Sequence, residues 1–159
     1  MNKKIVTLDE LAGAAKEIRQ AGKKLVATNG CFDLLHVGHV RYLKSARQMG
    51  DALAVGLNGD RSVHDLKGPG RPINNEKDRA EVLAALECVD LVVVFPEVRA
   101  TRFLDLAKPD VYVKGGDYTT DTLDPEERGA IEKAGAEIRF VPFECGYSTS
   151  QLIQQLKAE

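Results

Sequence analysis

Apolar residues cluster into short runs with little polar interruption: Ala52–Leu57 (ALAVGL), Leu91–Phe95 (LVVVF) and Val111–Lys114. A strand with one wet face alternates, so unbroken runs of this length predict parallel strands covered on both sides. Leu25–Thr28 and Glu137–Pro142 read as two further strands. Between the strands the apolar spacing becomes helical. Leu8, Leu11, Ala15 and Ile18 share one face of a helix capped by Thr7 or Asp9, running to about Ala21 and ended by Gly22. Val40–Met49, Arg61–Leu66 and Val98–Ala107 are predicted helical, as is a segment capped by Asn74 or Asn75 and running to about Glu87. Asp124-Pro125-Glu126 opens another helix with proline at its first position, and Gly135 stops it. Ser148 caps a last helix, Thr149–Ala158. Strands alternating with helices predict an α/β fold, a doubly wound five-stranded parallel sheet with right-handed crossovers. Lys67-Gly68-Pro69-Gly70-Arg71-Pro72 can only be a loop.

The chain has 159 residues, which predicts one domain over 1–159. Its net charge of −2 gives no overall attraction to nucleic acid or an anionic membrane. A phosphate site must therefore be a local concentration of donors. Three cysteines, Cys31, Cys88 and Cys145, without a CxxC pair indicate neither a disulfide framework nor a zinc site, and fit reduced thiols in the cytoplasm. The first residues lack the apolar core of a signal peptide. No stretch approaches the ~18 apolar residues of a membrane span. There is no GxxxxGK[ST] loop, no GxGxxG after the first strand and no GxSxG elbow. No carboxylate cluster suggests a metal held by the protein.

His36-Val37-Gly38-His39 carries the sharpest chemistry. It lies between the first strand and a helix, where open α/β sheets bind ligands. A helix N-terminus offers unpaired N–H groups and partial positive charge, and histidines three apart share one helix face. Gly38 would let an anion approach the backbone. Other candidates fall at strand ends or on adjacent helices. Asn58, Asp60 and Arg61 follow the second strand and suit a turn and cap as well as a ligand. Lys67 and Arg71 flank two glycines and read either as a solvated loop or as a lid closing cations onto phosphates. Arg79 reads either as a surface ion pair with Glu76 or Asp78 or as a fork on a triphosphate. Lys114-Gly115-Gly116-Asp117-Tyr118 could turn tightly around a ligand, with Asp117 accepting from sugar hydroxyls and Tyr118 stacking or packing. Tyr147, Ser148 and Thr149 open the final helix, where capping or phosphate binding would use them.

Gly30-Cys31-Phe32-Asp33-Leu34-Leu35-His36-Val37-Gly38-His39 closely resembles the first signature of the HxGH nucleotidyltransferase superfamily, the cytidylyltransferase-like enzymes. Gly146-Tyr147-Ser148-Thr149-Ser150-Gln151-Leu152-Ile153 resembles the second. Val55 to Val63, Gly70 to Asn74, Asp78-Arg79, Ala84 to Asp90, Lys108 to Asp110 and Lys114 to Tyr118 are similar to the branch of heptose 1-phosphate adenylyltransferases. The resemblance implies a Rossmann-like nucleotidyltransferase fold. It implies transfer of AMP from ATP to a sugar 1-phosphate, D-glycero-β-D-manno-heptose 1-phosphate, giving ADP-heptose for lipopolysaccharide or another surface glycan. It implies His36, His39 and Arg79 as catalytic residues. Gly30, Cys31, Phe32, Gly38, Asn58, Asp60, Lys67, Arg71, Lys114, Gly115, Asp117, Tyr118, Tyr147, Ser148 and Thr149 would bind substrate. Mg²⁺ would be held mainly by nucleotide phosphates and water, and a homodimer is compatible. Phe143-Glu144-Cys145-Gly146 stands where cytidylyltransferase relatives carry Arg-Thr-Glu-Gly, which argues against glycerol-phosphate cytidylyl transfer. Cys31 stands where many relatives have threonine. The alternatives are a CTP- or GTP-dependent enzyme with another acceptor, such as glycerol 3-phosphate, or a nucleotide-sensing protein without turnover.

Overall fold

The computed structural model describes residues 3–116, 118–142 and 144–158. Its elements are α1 (Leu8–Gln20), β1 (Leu25–Gly30), α2 (Val37–Arg47), β2 (Ala52–Asn58), α3 (Asp60–Lys67), α4 (Glu76–Ala84), β3 (Leu91–Phe95), α5 (Thr101–Ala107), β4 (Val111–Gly115), α6 (Pro125–Ala134), β5 (Glu137–Val141) and α7 (Thr149–Lys157). The strands form one parallel sheet in the order β3-β2-β1-β4-β5.

Alternate residues of each strand feed two separate cores. Leu25, Ala27, Ala52, Ala54 and Tyr112 pack with Leu11, Phe103, Leu104 and Ile131 on the face of α1, α5 and α6. Val26, Leu53, Val55, Leu57 and Val113 pack with Leu43, Ala46, Ala80 and Leu83 on the face of α2 and α4. Burial on both faces explains why the central strands read as unbroken apolar runs. β5 departs from that expectation: it lies at the sheet edge and none of its residues is fully buried.

Caps fix most helix starts. Thr7 and Glu10 form a reciprocal capping box on α1, Asn75 rather than Asn74 accepts from Asp78 N on α4, and Ser148 accepts from Gln151 N on α7. α2 begins at Val37, three residues before the periodicity predicts. Apolar spacing registers only turns that face the core, and the first turn of α2 packs against Tyr147 in the loop before the last helix instead. α4 stops at Ala84 and α5 starts at Thr101, both shorter than the sequence pattern predicts. A single 3₁₀ turn at Thr120–Thr122 lay outside the sequence expectation. Among the described residues no helix is long and apolar enough to cross a membrane.

Strand order reverses between β1 and β4, and there the ladder is short. Only Val26↔Val111 and Ala27↔Tyr112 pair, although β1 continues to Gly30 and β4 to Gly115. The two strands part toward their carboxyl ends, which opens the crevice where such sheets take ligands. Two tyrosines bridge the opening. Tyr42 OH donates to Val113 O at 3.1 Å and pairs with Thr28 Oγ1 at 2.6 Å, and Tyr112 OH donates to Asn29 Oδ1 at 2.7 Å.

Candidate nucleotide-transfer site

The loop after β1 is held in shape before any ligand is considered. Phe32 adopts φ 44°, a left-handed conformation that costs a non-glycine residue energy. Its buried ring covers Gly30, where a Cβ would approach Phe32 Cε2 to 3.0 Å. The same ring meets His39 edge-on, with centroids 5.4 Å apart. Asp33 then turns inward, its side chain only 1% exposed. It accepts from Ile73 N at 2.9 Å, Asn74 N at 3.0 Å and Arg71 Nε at 2.7 Å. Burial alone would raise its pKa, but these N–H groups and the Arg71 guanidinium outweigh it and hold the carboxyl below its ordinary value. Asp33 was not among the sequence candidates. No local signal marked it, because its partners lie about 40 residues away in the chain.

His36 stands at the N-cap of α2 and His39 at its third helical position. Their rings stack with centroids 3.9 Å apart. His36 N donates to His39 Nδ1 at 3.4 Å, so a neutral His39 carries its proton on Nε2. Desolvation, and then the neighbouring His36, push the His39 pKa down to about 4, and desolvation lowers that of His36 as well. Both rings are therefore neutral donors near pH 7. His36 Nδ1 is buried without a hydrogen-bond partner among the described residues.

Gly38 is required by the protein's own packing. A Cβ there would fall 2.9 Å from the His36 ring and 2.9 Å from Tyr147 Cβ. The loop before α7 thus lies directly on the first turn of α2. Tyr147 stacks on His36 at 6.3 Å, and the Arg41 guanidinium lies over the Tyr147 ring at 5.7 Å while pairing with Glu144. Thr149 Oγ1 donates to Leu34 O at 3.1 Å, and Ser148 is occupied as the cap. Both signatures, more than a hundred residues apart in the chain, are brought together here.

Arg79 corrects both of its sequence readings. It is neither a surface ion pair with Glu76 or Asp78 nor an open fork, since its side chain has no exposed surface. Nε donates to Asn74 O, one terminal nitrogen to Cys31 O and Asn58 O, and the other to Asp60 Oδ1, all between 2.7 and 2.9 Å. It is a hub that ties together the loop after β1, the end of β2, the start of α3 and the entry to α4. Asn58 and Asp60 are engaged with it. Asn58 is buried and donates to Ser62 Oγ at 2.7 Å, while Asp60 serves Arg79 and receives its own N–H bond from Glu76. The lid reading is corrected in part. Arg71 is tied to Asp33, and only Lys67 and the segment to Gly70 remain exposed or nearly so. Sequence spacing could not reveal this, because all these partners come from other elements.

Cys31 is half-buried, and burial raises its thiol pKa, so it is not poised as a thiolate. At the carboxyl end of β4, Lys114 Nζ lies 4.9 Å above the exposed Tyr118 ring, just past Gly115. Asp117 and Phe143 lie outside the described residues.

Residues 27–155 match the cytidylyltransferase-like family. The chain is 49% identical over 154 residues to the bifunctional protein HldE of Geotalea uraniireducens (strain Rf4), covering 97% of this chain and 31% of that protein. It is 46% identical over 157 residues to the bifunctional protein HldE of Aliarcobacter butzleri (strain RM4018), covering 98% and 32%. It therefore spans about a third of the length of these relatives. Among solved structures it is similar to the lipopolysaccharide core biosynthesis protein from Thermoplasma volcanium GSS1, with TM-score 0.63, 29% identity, 77% of this chain and 98% of that one covered. The pantoate-beta-alanine ligase from Francisella tularensis shares the fold at TM-score 0.58 and 15% identity, covering 92% of this chain and 68% of that one. With most of its length inside the matched region, and with both histidines and the α7 loop meeting at the sheet edge, this chain belongs to the cytidylyltransferase-like family of nucleotidyltransferases.

Proposed function

We propose that the protein transfers AMP from ATP to a sugar 1-phosphate, D-glycero-β-D-manno-heptose 1-phosphate, yielding ADP-heptose and pyrophosphate in the cytoplasm. The observation that carries the proposal is the stacked, neutral histidine pair at the N-terminus of α2, beside the crevice between β1 and β4. Choice of acceptor rests on the heptose-branch stretches of the sequence and on the similarity to proteins named HldE.

A sugar phosphate is already a nucleophile, so the site needs no covalent intermediate. Its oxygen forms a bond to the α-phosphorus of ATP as the bond to the β-phosphate oxygen breaks, and pyrophosphate departs with the electron pair. The chain's task is alignment and charge stabilisation. His39 Nε2–H and the His36 ring donate to phosphate oxygens, and the unpaired N–H groups of the first turn of α2 add a fixed dipole. Neutral donors keep their protons throughout. Exposed Lys67 is the cation offered to the leaving pyrophosphate. Arg79 acts at one remove, holding Cys31, Asn58 and Asn74 in place. Among the described residues no three His, Cys, Asp or Glu side chains converge, and we assign Mg²⁺ to the nucleotide phosphates and water. Held by the nucleotide, the ion would supply Lewis-acid neutralisation of phosphate charge.

Pyrophosphate release tests the proposal, with ATP, CTP and GTP each offered against heptose 1-phosphate, glucose 1-phosphate and glycerol 3-phosphate. ATP with heptose 1-phosphate should be the best pair, with ATP favoured over CTP by at least about tenfold in kcat/KM. Equal or better use of CTP would remove the adenylyl assignment, and tight ATP binding without release for any acceptor would favour a nucleotide sensor.

A further inference from the structure

Asn29 is a residue that the sequence signatures leave without a role. It is the fifth residue of β1, just before Gly30, at the point where β1 and β4 separate. Strand alternation places its side chain with Leu25 and Ala27, on the face of α1, α5 and α6. Thr28 points the other way, toward Tyr42 of α2. Asn29 Oδ1 accepts from Tyr112 OH at 2.7 Å. That contact settles the amide's orientation, because a tyrosine hydroxyl with no other bond can satisfy the oxygen only by donating. Burial, foremost, holds the Tyr112 hydroxyl protonated by raising its pKa well above the ordinary value. The amide nitrogen consequently faces away from Tyr112. It has no hydrogen bond from the described residues, and Asn29 is only half-buried.

We propose that Asn29 Nδ2 donates to a hydroxyl of the acceptor sugar and so helps select the acceptor, with Tyr112 as the positioning residue that fixes the amide. This rests on the nucleotidyl-transfer reading above. In-line displacement puts the acceptor and the leaving pyrophosphate on opposite sides of the α-phosphorus. α2 and the histidine pair, through Phe32, pack on the sheet face of Val26 and Val55, and Asn29 lies on the opposite face with Leu25 and Ala27. A donor on that far side meets the acceptor rather than the triphosphate. An amide tied at its oxygen is a rigid donor, and such a donor discriminates against ligands that cannot accept from it.

The test is steady-state kinetics of the full chain with ATP and heptose 1-phosphate, comparing wild type, Asn29→Leu, Asn29→Asp and Tyr112→Phe, with ATP affinity measured separately by calorimetry. Asn29→Leu and Asn29→Asp should lose about tenfold or more in kcat/KM for the sugar phosphate, mainly through KM, with ATP affinity within about twofold of wild type. Tyr112→Phe should show the same KM shift in weaker form, because the amide can then turn. Thermal unfolding of each variant separates lost folding from lost recognition, and Asn29→Ser supplies a second, smaller variant that retains a donor and should recover part of the loss. Unchanged acceptor KM in folded Asn29 variants overturns the inference, as does a fall in ATP affinity instead. If wild type itself releases no pyrophosphate with any sugar phosphate, the nucleotidyl-transfer reading fails and takes this inference with it.

Discussion

The two signature regions meet at one site but are held very differently. The loop after β1 is fastened from several directions. Asp33 binds residues 71–74, Arg79 binds Cys31, and Phe32 is buried against Gly30 and His39. Among the described residues the α7 region has none fully buried; it rests on the start of α2 through Tyr147 and the Arg41–Glu144 pair, and on the loop after β1 through one Thr149 bond. In the proposed reaction the first region would supply donors already held in position by the fold. The second, with few buried contacts, is the half that can shift at little energetic cost.

The harshest way to break the contrast is to remove its hub. Arg79→Leu leaves carbonyls of Cys31, Asn58 and Asn74 and the Asp60 carboxylate without their shared donor. Unfolding by urea should show a loss of about 3–5 kcal/mol, and near-wild-type stability would mean the guanidinium is not structural. Next in size, His39→Ala should lower kcat about 10²–10³-fold while calorimetric ATP affinity changes little. Normal kcat would reduce the histidine to packing.

The histidine pair also makes a pH prediction of definite sign. With a folded pKa of about 4 against 6.5 for the free group, the unfolded chain takes up a proton that folded His39 refuses. Stability from this group is complete above about pH 6.5 and falls as the pH drops toward 4. Urea midpoints measured across that window should decline more steeply for wild type than for His39→Gln, and parallel curves would contradict the desolvated, neutral imidazole.

Smaller effects probe the looser half. Thr149→Val removes the bond to Leu34 O and should cost about 1 kcal/mol or less globally, while making α7 more readily cleaved in limited proteolysis. Unaltered cleavage would show that α7 is held by its other contacts. Smallest of all, hydrogen exchange should report ATP-dependent protection over 67–70, with Ile73 and Asn74 protected in both states by Asp33. Equal protection of 67–70 with and without ATP would dismiss Lys67 as a closing cation.

Local rules were enough to determine much of this molecule. Apolar runs without alternation specified the parallel central strands, Thr7 or Asp9, Asn74 or Asn75, and Ser148 marked helix starts by capping, and Pro125 and Gly135 bracketed α6, because each acts through neighbours within one turn. His36 and His39 were legible for the same reason, since three residues on a helix fix their proximity. Tertiary structure alone decided the rest. Arg79 read as a phosphate fork or a surface ion pair until Cys31, Asn58, Asp60 and Asn74 closed around it, and Arg71 read as a lid residue until Asp33 took its guanidinium. The edge position of β5, the purpose of Gly38 and the orientation of Asn29 likewise depend on residues far away in the chain. Burial and hydrogen-bond satisfaction are properties of the folded neighbourhood, and a side chain's own sequence context does not contain its partners.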